Sequence, residues 1–151
     1  MPDYDNWEEL CEAAQGRCKD ILSRDVAPVA IQIVKKHIQK DIYDAYTPIT
    51  GGWVNGTTYS RRHVLEGSVY HTFIHDDEIM VTSNATASKS VVKGYSFHNR
   101  RPGSFLQLLE SGHMGIWRHG FPRPAIGNAQ SEIDRSSAIR SAIQAGLDRY
   151  F

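Results

Sequence analysis

The chain has 151 residues and a mass of 17.0 kDa, which is the size of one domain. Hydrophobic residues make up 40% and charged residues 23%, so the composition favours a folded chain with a core over a disordered one. The 17 basic and 17 acidic residues cancel, which argues against a protein that coats DNA over its whole surface. The apolar runs are too short for a transmembrane helix, and the acidic N-terminus is unlike a secretory signal.

An amphipathic pattern predicts a first helix over residues 6–23, with Asn6 as its cap. Cys11 and Cys18 both belong to the apolar stripe of this helix. They are seven residues apart, about 10.5 Å along a helix axis, which is too far for a disulfide between them. We therefore expect them to be reduced thiols that pack like small apolar side chains.

A second amphipathic pattern follows, and the two together predict a helical N-terminal part over residues 6–46. Asp25 is the expected cap of the second helix, because Pro28 then falls in the first turn, where its missing N–H does no harm. A stripe of Val, Ala and Ile continues to Tyr46. Pro48 ends the pattern, because a proline disfavours the helical conformation of the residue before it.

A β region is predicted over residues 59–95. Residues 68–75 and 78–85 are rich in β-branched and aromatic side chains, and Asp76-Asp77 between them has the character of a turn. The two segments predict an antiparallel hairpin. Residues 88–95 form either a third strand or a loop.

Two helices are predicted in the C-terminal third. Ser104 and Gly112 delimit a short helix over 104–111, and apolar spacing marks a last helix over 131–149. Since the strands are grouped rather than alternating with helices, the order favours an α+β fold, with the last helix packed on the sheet. We expect a single domain over residues 1–151.

The charges are unevenly distributed along the chain. Residues 1–25 hold three bases against seven acids, a net charge of −4, and residues 88–123 hold six bases against one acid, a net charge of +5. Opposed patches on a neutral molecule favour head-to-tail contacts between copies, which is the geometry of a ring. The alternative is that folding mixes these charges over the surface.

The candidate residues for metal binding or acid–base catalysis are mainly histidines. His71 and His75 fall on one face of the first strand, but four residues of extended chain separate them too widely for one metal ion, which favours an exposed strand face. His98-Asn99, with His113 further along, resembles the loops of His/Asn metal-dependent nucleases. A basic solvated loop is the alternative at that position. The sequence contains none of the common nucleophile, nucleotide or zinc-protease motifs.

Three segments in order resemble the tail-completion, or neck, family of long-tailed bacteriophages. The first has Tyr43 and Tyr46 at the end of a helix, then Pro48, and after a loop Tyr-Ser-Arg-Arg at residues 59–62. The second is Phe105-Leu106-Gln107-Leu108-Leu109-Glu110-Ser111-Gly112-His113. The third is Phe121-Pro122-Arg123-Pro124-Ala125, which is followed by a helix. The chain departs from the family in having Ala125 where Phe is usual.

The resemblance implies a protein that is not an enzyme and needs no cofactor or metal. Such proteins have a small sheet flanked by a long helix and a C-terminal helix, and they form six- or twelve-fold rings in the virion neck. The implied partners are further copies of the chain, the portal or adaptor proteins, the tail tube or tail terminator proteins, and genomic DNA in the channel, with no membrane. The protein would be made in the bacterial cytoplasm and would reside in the virion.

The residues that we expect at subunit interfaces or in the lumen are arginines. They are Arg61, Arg62, Arg100, Arg101 and Arg118. Guanidinium groups in the lumen would contact DNA phosphates without reading sequence. Simple solvation of these side chains is the alternative. The alternative functions are a tail terminator that caps the tail tube and, from another class, the His/Asn nuclease.

Overall fold

The computed structural model describes residues 6–45, 64–85, 106, 110 and 124–150. Its elements in chain order are helix α1 (Trp7–Ile21), a first π-helical segment (Leu22–Val26), helix α2 (Ala27–His37), a second π-helical segment (Ile38–Asp44), helix α3 (Val64–Gly67), strands β1 (Val69–His75) and β2 (Glu78–Ser83), and helices α4 (Ala125–Arg135) and α5 (Ser137–Tyr150). Helices at both ends and a small antiparallel sheet between them confirm the α+β prediction.

The N-terminal part is helical without a break from Trp7 to Asp44. Asn6 caps it as predicted, because its extended backbone lets Oδ1 accept the Glu9 amide at 2.9 Å. The prediction that Asp25 caps a second helix is wrong. Asp25 lies inside the first π-helical segment, and Val26, at the start of α2, has helical dihedral angles and no side-chain cap. The two predicted helices are therefore joined by a wider turn rather than by a cap.

The predicted hairpin is confirmed. β1 and β2 pair antiparallel with Val69 opposite Ser83, and residues 76–77 form the turn. A register shift between Phe73 and His75 marks an irregularity next to that turn. At the other end of the hairpin, the fully buried Ser83 hydroxyl accepts the Ala85 amide at 3.1 Å. The possible third strand over residues 88–95 lies outside the described residues.

The single predicted helix over residues 131–149 is two helices in the structure. The first begins earlier, at Ala125, and the chain leaves the helical conformation at Ser136, whose ψ is 121°. The Ser136 hydroxyl accepts the Ile139 amide at 3.3 Å, so this serine caps α5. The local capping preference of serine interrupts an apolar pattern that runs through both helices.

A carboxylate that precedes α4 in the chain, Glu110, caps its first turn. Glu110 accepts the amides of Ile126 and Gly127 at 2.9 Å each, one on each carboxylate oxygen. A carboxylate at this position satisfies two of the open amides and opposes the positive end of the helix dipole. Glu110 and Leu106, the described residues of the predicted 104–111 helix, are both helical.

The core lies around α2. The hairpin packs on α2, α4 packs on α2 and the second π-helical segment, and α5 packs mainly on the first π-helical segment, α1 and α2. The expectation that the last helix packs on the sheet is therefore corrected, since α2 separates the main contacts of the two. The buried apolar residues come from nearly every element: Ile21, Val26, Ala30, Ile33, Val34, Ile38, Ile42, Leu65, Val69, Ala85, Leu106, Ala125, Ala129 and Ile139.

A glycine allows α5 to approach the N-terminal helix closely. A Cβ at Gly146 would lie 2.6 and 2.8 Å from the Cγ2 and Cγ1 atoms of Ile21. Next to this contact, the Arg149 guanidinium donates to both carboxylate oxygens of Asp25 at 3.0 and 3.1 Å. Arg17 also donates to the Tyr150 carbonyl at 3.3 Å, so the end of α5 is fixed on α1 by packing and hydrogen bonds together.

Candidate interaction surfaces

The arginines predicted from sequence at interfaces or in the lumen lie outside the described residues. They are Arg61, Arg62, Arg100, Arg101 and Arg118. The residues of the nuclease alternative, His98, Asn99 and His113, lie outside them as well. The surfaces that the structure does describe were not among the candidates from sequence.

The two strand histidines belong to the inner face of the hairpin. His71 pairs with Val81 across the sheet, and its ring meets the Phe73 ring edge-on at 6.2 Å. His75 is exposed beside the turn. Among the residues that the structure describes, no three His, Cys, Asp or Glu side chains are grouped so that they could hold a metal ion.

The outer face of the hairpin is apolar and exposed. Tyr70, Ile74 and Met80 are 38%, 46% and 43% exposed. Alternation along the strands places Thr72 and Thr82 beside them, and the exposed Glu78 at the turn end of the same face. We call Tyr70, Thr72, Ile74, Met80 and Thr82 the hairpin face. A face of this composition is typical of surfaces that another protein covers.

A partly buried cluster of polar and ionisable side chains joins α2, the second π-helical segment and α4. The His37 side chain is 8% exposed, with Nδ1 2.8 Å from Asp41 Oδ2 and Nε2 2.9 Å from Glu132 Oε2. The ring therefore lies between two carboxyl groups, with one ring nitrogen within hydrogen-bond distance of each. Asn128 donates to the same Asp41 oxygen at 2.9 Å, and Lys36 donates to both Glu132 oxygens at 2.7 and 2.8 Å.

The surroundings of both carboxyl groups favour their ionised form. Burial raises the pKa of Asp41, but hydrogen bonds from Asn128 and His37 and neighbouring positive charges outweigh it and hold the pKa below its ordinary value. The hydrogen bond from Lys36 is the main cause that lowers the pKa of Glu132, and the hydrogen bond from His37 adds to it. The hydrogen-bond donors around them therefore hold both carboxyl groups in their ionised form.

The geometry of this cluster suits a structural role. Each ring nitrogen of His37 is already bonded to a carboxylate, so neither is available to take a proton from a bound molecule or to ligate an ion. Instead, the ring links Asp41 on one helical element to Glu132 on another. The i, i+4 spacing of His37 and Asp41 was a visible signal in the sequence. The third member, Glu132, is 95 residues from His37, and no local pattern could have pointed to it.

Comparison with known proteins identifies the family. A family model named YomN matches residues 6–149, which is nearly the whole chain. The chain belongs to the YomN family. YomN is a phage-derived family, named after a protein from the SPbeta prophage region of Bacillus. No curated protein and no solved structure matches the chain.

The YomN match covers every surface described above, including the hairpin face and the cluster around His37. It supports the phage origin expected from the sequence resemblance. Within the described part of the chain, no helix combines the length and apolar character needed to cross a membrane.

Proposed function

We propose that this YomN protein is a structural component of the virion that forms a ring in the neck and joins the head to the tail. The role is assembly, without catalysis. The implied partners are further copies of the chain, the portal or adaptor on the head side and the tail tube or terminator on the tail side. The phage origin of the family supports this reading, and so does the order of the three segments that resemble neck proteins.

The hairpin face is the observation that carries the proposal. Three large apolar side chains stand exposed on one surface of a two-stranded sheet, with Glu78 at the turn end of that surface. Isolated exposed apolar residues are common, but a contiguous group of them favours a site that another protein covers. In a ring-forming protein, such a surface would be buried between neighbouring subunits or against the next ring.

The test is to place a charge on the hairpin face in the phage that encodes the chain. Ile74→Lys changes a side chain that is 46% exposed, so we expect the purified variant to fold as the wild type does. The matched control is Ser141→Lys, which adds the same charge to the exposed side of α5. Circular dichroism and urea unfolding of both purified variants verify that they fold.

The expected result is a loss of infectious particles with Ile74→Lys and not with Ser141→Lys. Electron microscopy of the lysate should then show filled heads and tails that are separate. Normal infectivity of Ile74→Lys would refute a role of this face in assembly. Joined particles with tails of abnormal length would point to the tail terminator instead.

A further inference from the structure

The His37 ring connects the N-terminal helix to α4 through two carboxyl groups. Its Nδ1 lies 2.8 Å from Asp41 Oδ2, and its Nε2 lies 2.9 Å from Glu132 Oε2 on α4. The side chain is 8% exposed, so water has little access to replace either partner. Both carboxyl groups are held in their ionised form, which only accepts hydrogen bonds. The two contacts are therefore satisfied together only when both ring nitrogens carry a hydrogen.

The other charged groups at this place keep their charge where histidine changes it. Within the described part of the chain, Lys36 donates to both oxygens of Glu132, Asn128 donates to Asp41, and the charge of Lys40 acts on Asp41. Lysines, and carboxyl groups with a lowered pKa, stay charged between about pH 5 and pH 8, which is the range in which histidine side chains ordinarily titrate. A change of pH in this range therefore acts on the cluster through the ring.

A neutral ring cannot keep both contacts. It has one N–H donor and one nitrogen with a lone pair, so it can donate to only one of the two carboxylates. The other contact would place the lone pair against a negatively charged oxygen. Asp41 follows His37 by one turn of the same continuous helix, whereas Glu132 is reached only across the interface with α4. The contact that can open is therefore the one between the ring and Glu132.

The packing of α4 makes its position sensitive to such a contact. Its fully buried side chains are those of Ala125 and Ala129, which bury little apolar area, and Ile126 and Ile133 are only partly buried. The chain leaves the helical conformation at Ser136, so α4 can loosen without displacing α5. Polar contacts across this interface therefore weigh more for α4 than they would for a helix anchored by large apolar side chains.

We propose that the His37 ring is a proton-dependent lock between α2 and α4. With a hydrogen on both nitrogens, the ring donates to Asp41 and Glu132 together and holds α4 against α2. When one proton leaves to water, the hydrogen bond to Glu132 is lost and α4 opens more readily. Because the locked state favours the protonated ring, the lock weakens as the pH rises through the titration of the ring. The inference concerns the fold alone and does not depend on the proposed neck role.

Amide hydrogen exchange of the full-length wild-type chain, followed by NMR from about pH 5 to about pH 8, measures the lock. The ring signals of His37 in the same samples report when the ring loses its proton. After correction for the intrinsic pH dependence of exchange, protection of the α4 amides should fall by about 10-fold or more across that titration, as for the loss of a hydrogen bond to a charged group. Protection in α5, beyond Ser136, should not change.

Glu132→Gln distinguishes the lock from a contact that only fills space. The glutamine amide can donate to the lone pair of a neutral ring while the ring N–H donates to Asp41, so this variant should keep α4 docked without the ring proton. Protection of α4 should no longer fall with rising pH, and the midpoint of the ring titration should move to lower pH by about one unit. Asp134→Asn is the matched control, because it makes the same change at an exposed position of α4 and should behave as the wild type does.

Three results would overturn the inference. Protection of α4 in the wild type could be the same before and after the ring titrates, it could fall with rising pH in Glu132→Gln as it does in the wild type, or the ring midpoint could be the same in both chains. The wild-type measurement decides the first point even where the Glu132→Gln chain does not fold, and urea unfolding of each variant verifies that it does.

Discussion

Two helical glycines in this chain should respond in opposite ways to the same substitution. Gly146 is in α5, where an added Cβ would lie 2.6 Å from Cγ2 and 2.8 Å from Cγ1 of Ile21, and 3.2 Å from Oδ2 of Asp25. Ile21 is 4% exposed, so its side chain has no open space to move into. Gly16 is exposed in α1, and nothing lies within 4 Å of an added Cβ there.

The size of each effect follows from two opposing contributions. In a helix interior, alanine is more favourable than glycine by about 0.5–1 kcal/mol. Gly16→Ala should gain that amount of unfolding free energy. At Gly146 the gain is opposed by overpacking, which costs about 1–3 kcal/mol, so Gly146→Ala should lower the unfolding free energy by about 1–2 kcal/mol. For a chain of this size, that corresponds to a fall in Tm of about 2–8 °C.

Urea unfolding followed by circular dichroism measures both changes. Equal slopes of the transition for wild type and variants would show that only stability has changed. If Gly146→Ala were stabilised to the same extent as Gly16→Ala, α5 would not approach α1 at this position, and the packing described here would be wrong.

Three further predictions concern the cluster around His37 and the cap of α4. His37→Leu removes the side chain that Asp41 and Glu132 share, while Asn128 and Lys36 stay bonded to them. The unfolding free energy should therefore fall by about 1–3 kcal/mol in urea titrations, whereas the exposed His75→Leu should stay within about 0.5 kcal/mol of wild type. The pKa of Asp41 is lower in the folded chain than in the unfolded chain, so the unfolded chain binds more protons in acid. The stability that this carboxylate contributes above about pH 4 should therefore be lost as the pH falls through its pKa in the folded chain. This loss should be shallower in His37→Leu. Glu110→Ala removes the acceptor of two α4 amides, so it should lower the unfolding free energy by about 1–2 kcal/mol. Amide hydrogen exchange should become faster, and only in the first turn of α4. Unchanged exchange in that turn would contradict the cap.

Local patterns predicted the elements of the fold well where a single periodicity and a single cap dominate. Asn6 is the cap that the sequence indicated, and the hairpin that the strand-like residues predicted is present between Val69 and Ser83. The prediction was wrong where two local signals competed. Asp25 resembled a cap, but continued helical packing and the contact with Arg149 hold it inside a helical turn. Ser136 capped a new helix within a stripe that appeared continuous.

The candidate surfaces were harder to predict, because they depend on contacts between distant parts of the chain. Trp7 belongs to the same apolar stripe as Ile21, and periodicity alone gives no reason why only one of them is buried. Among the residues that the structure describes, the contacts that bury this stripe lie at the Ile21 end of α1. The contact between the His37 ring and the Glu132 carboxylate likewise requires α4 to lie against α2. No local sequence pattern predicts that packing.

The central claim is that the chain is a structural part of the virion, and quantitative mass spectrometry of purified particles tests it most directly. Complete virions, isolated filled heads and isolated tails from one lysate should be compared for copies of this chain per particle. The account predicts a fixed low number in complete virions, on the order of one ring of six or twelve copies. Presence on tails but not on filled heads would favour the tail terminator. Absence from every particle would contradict the structural role.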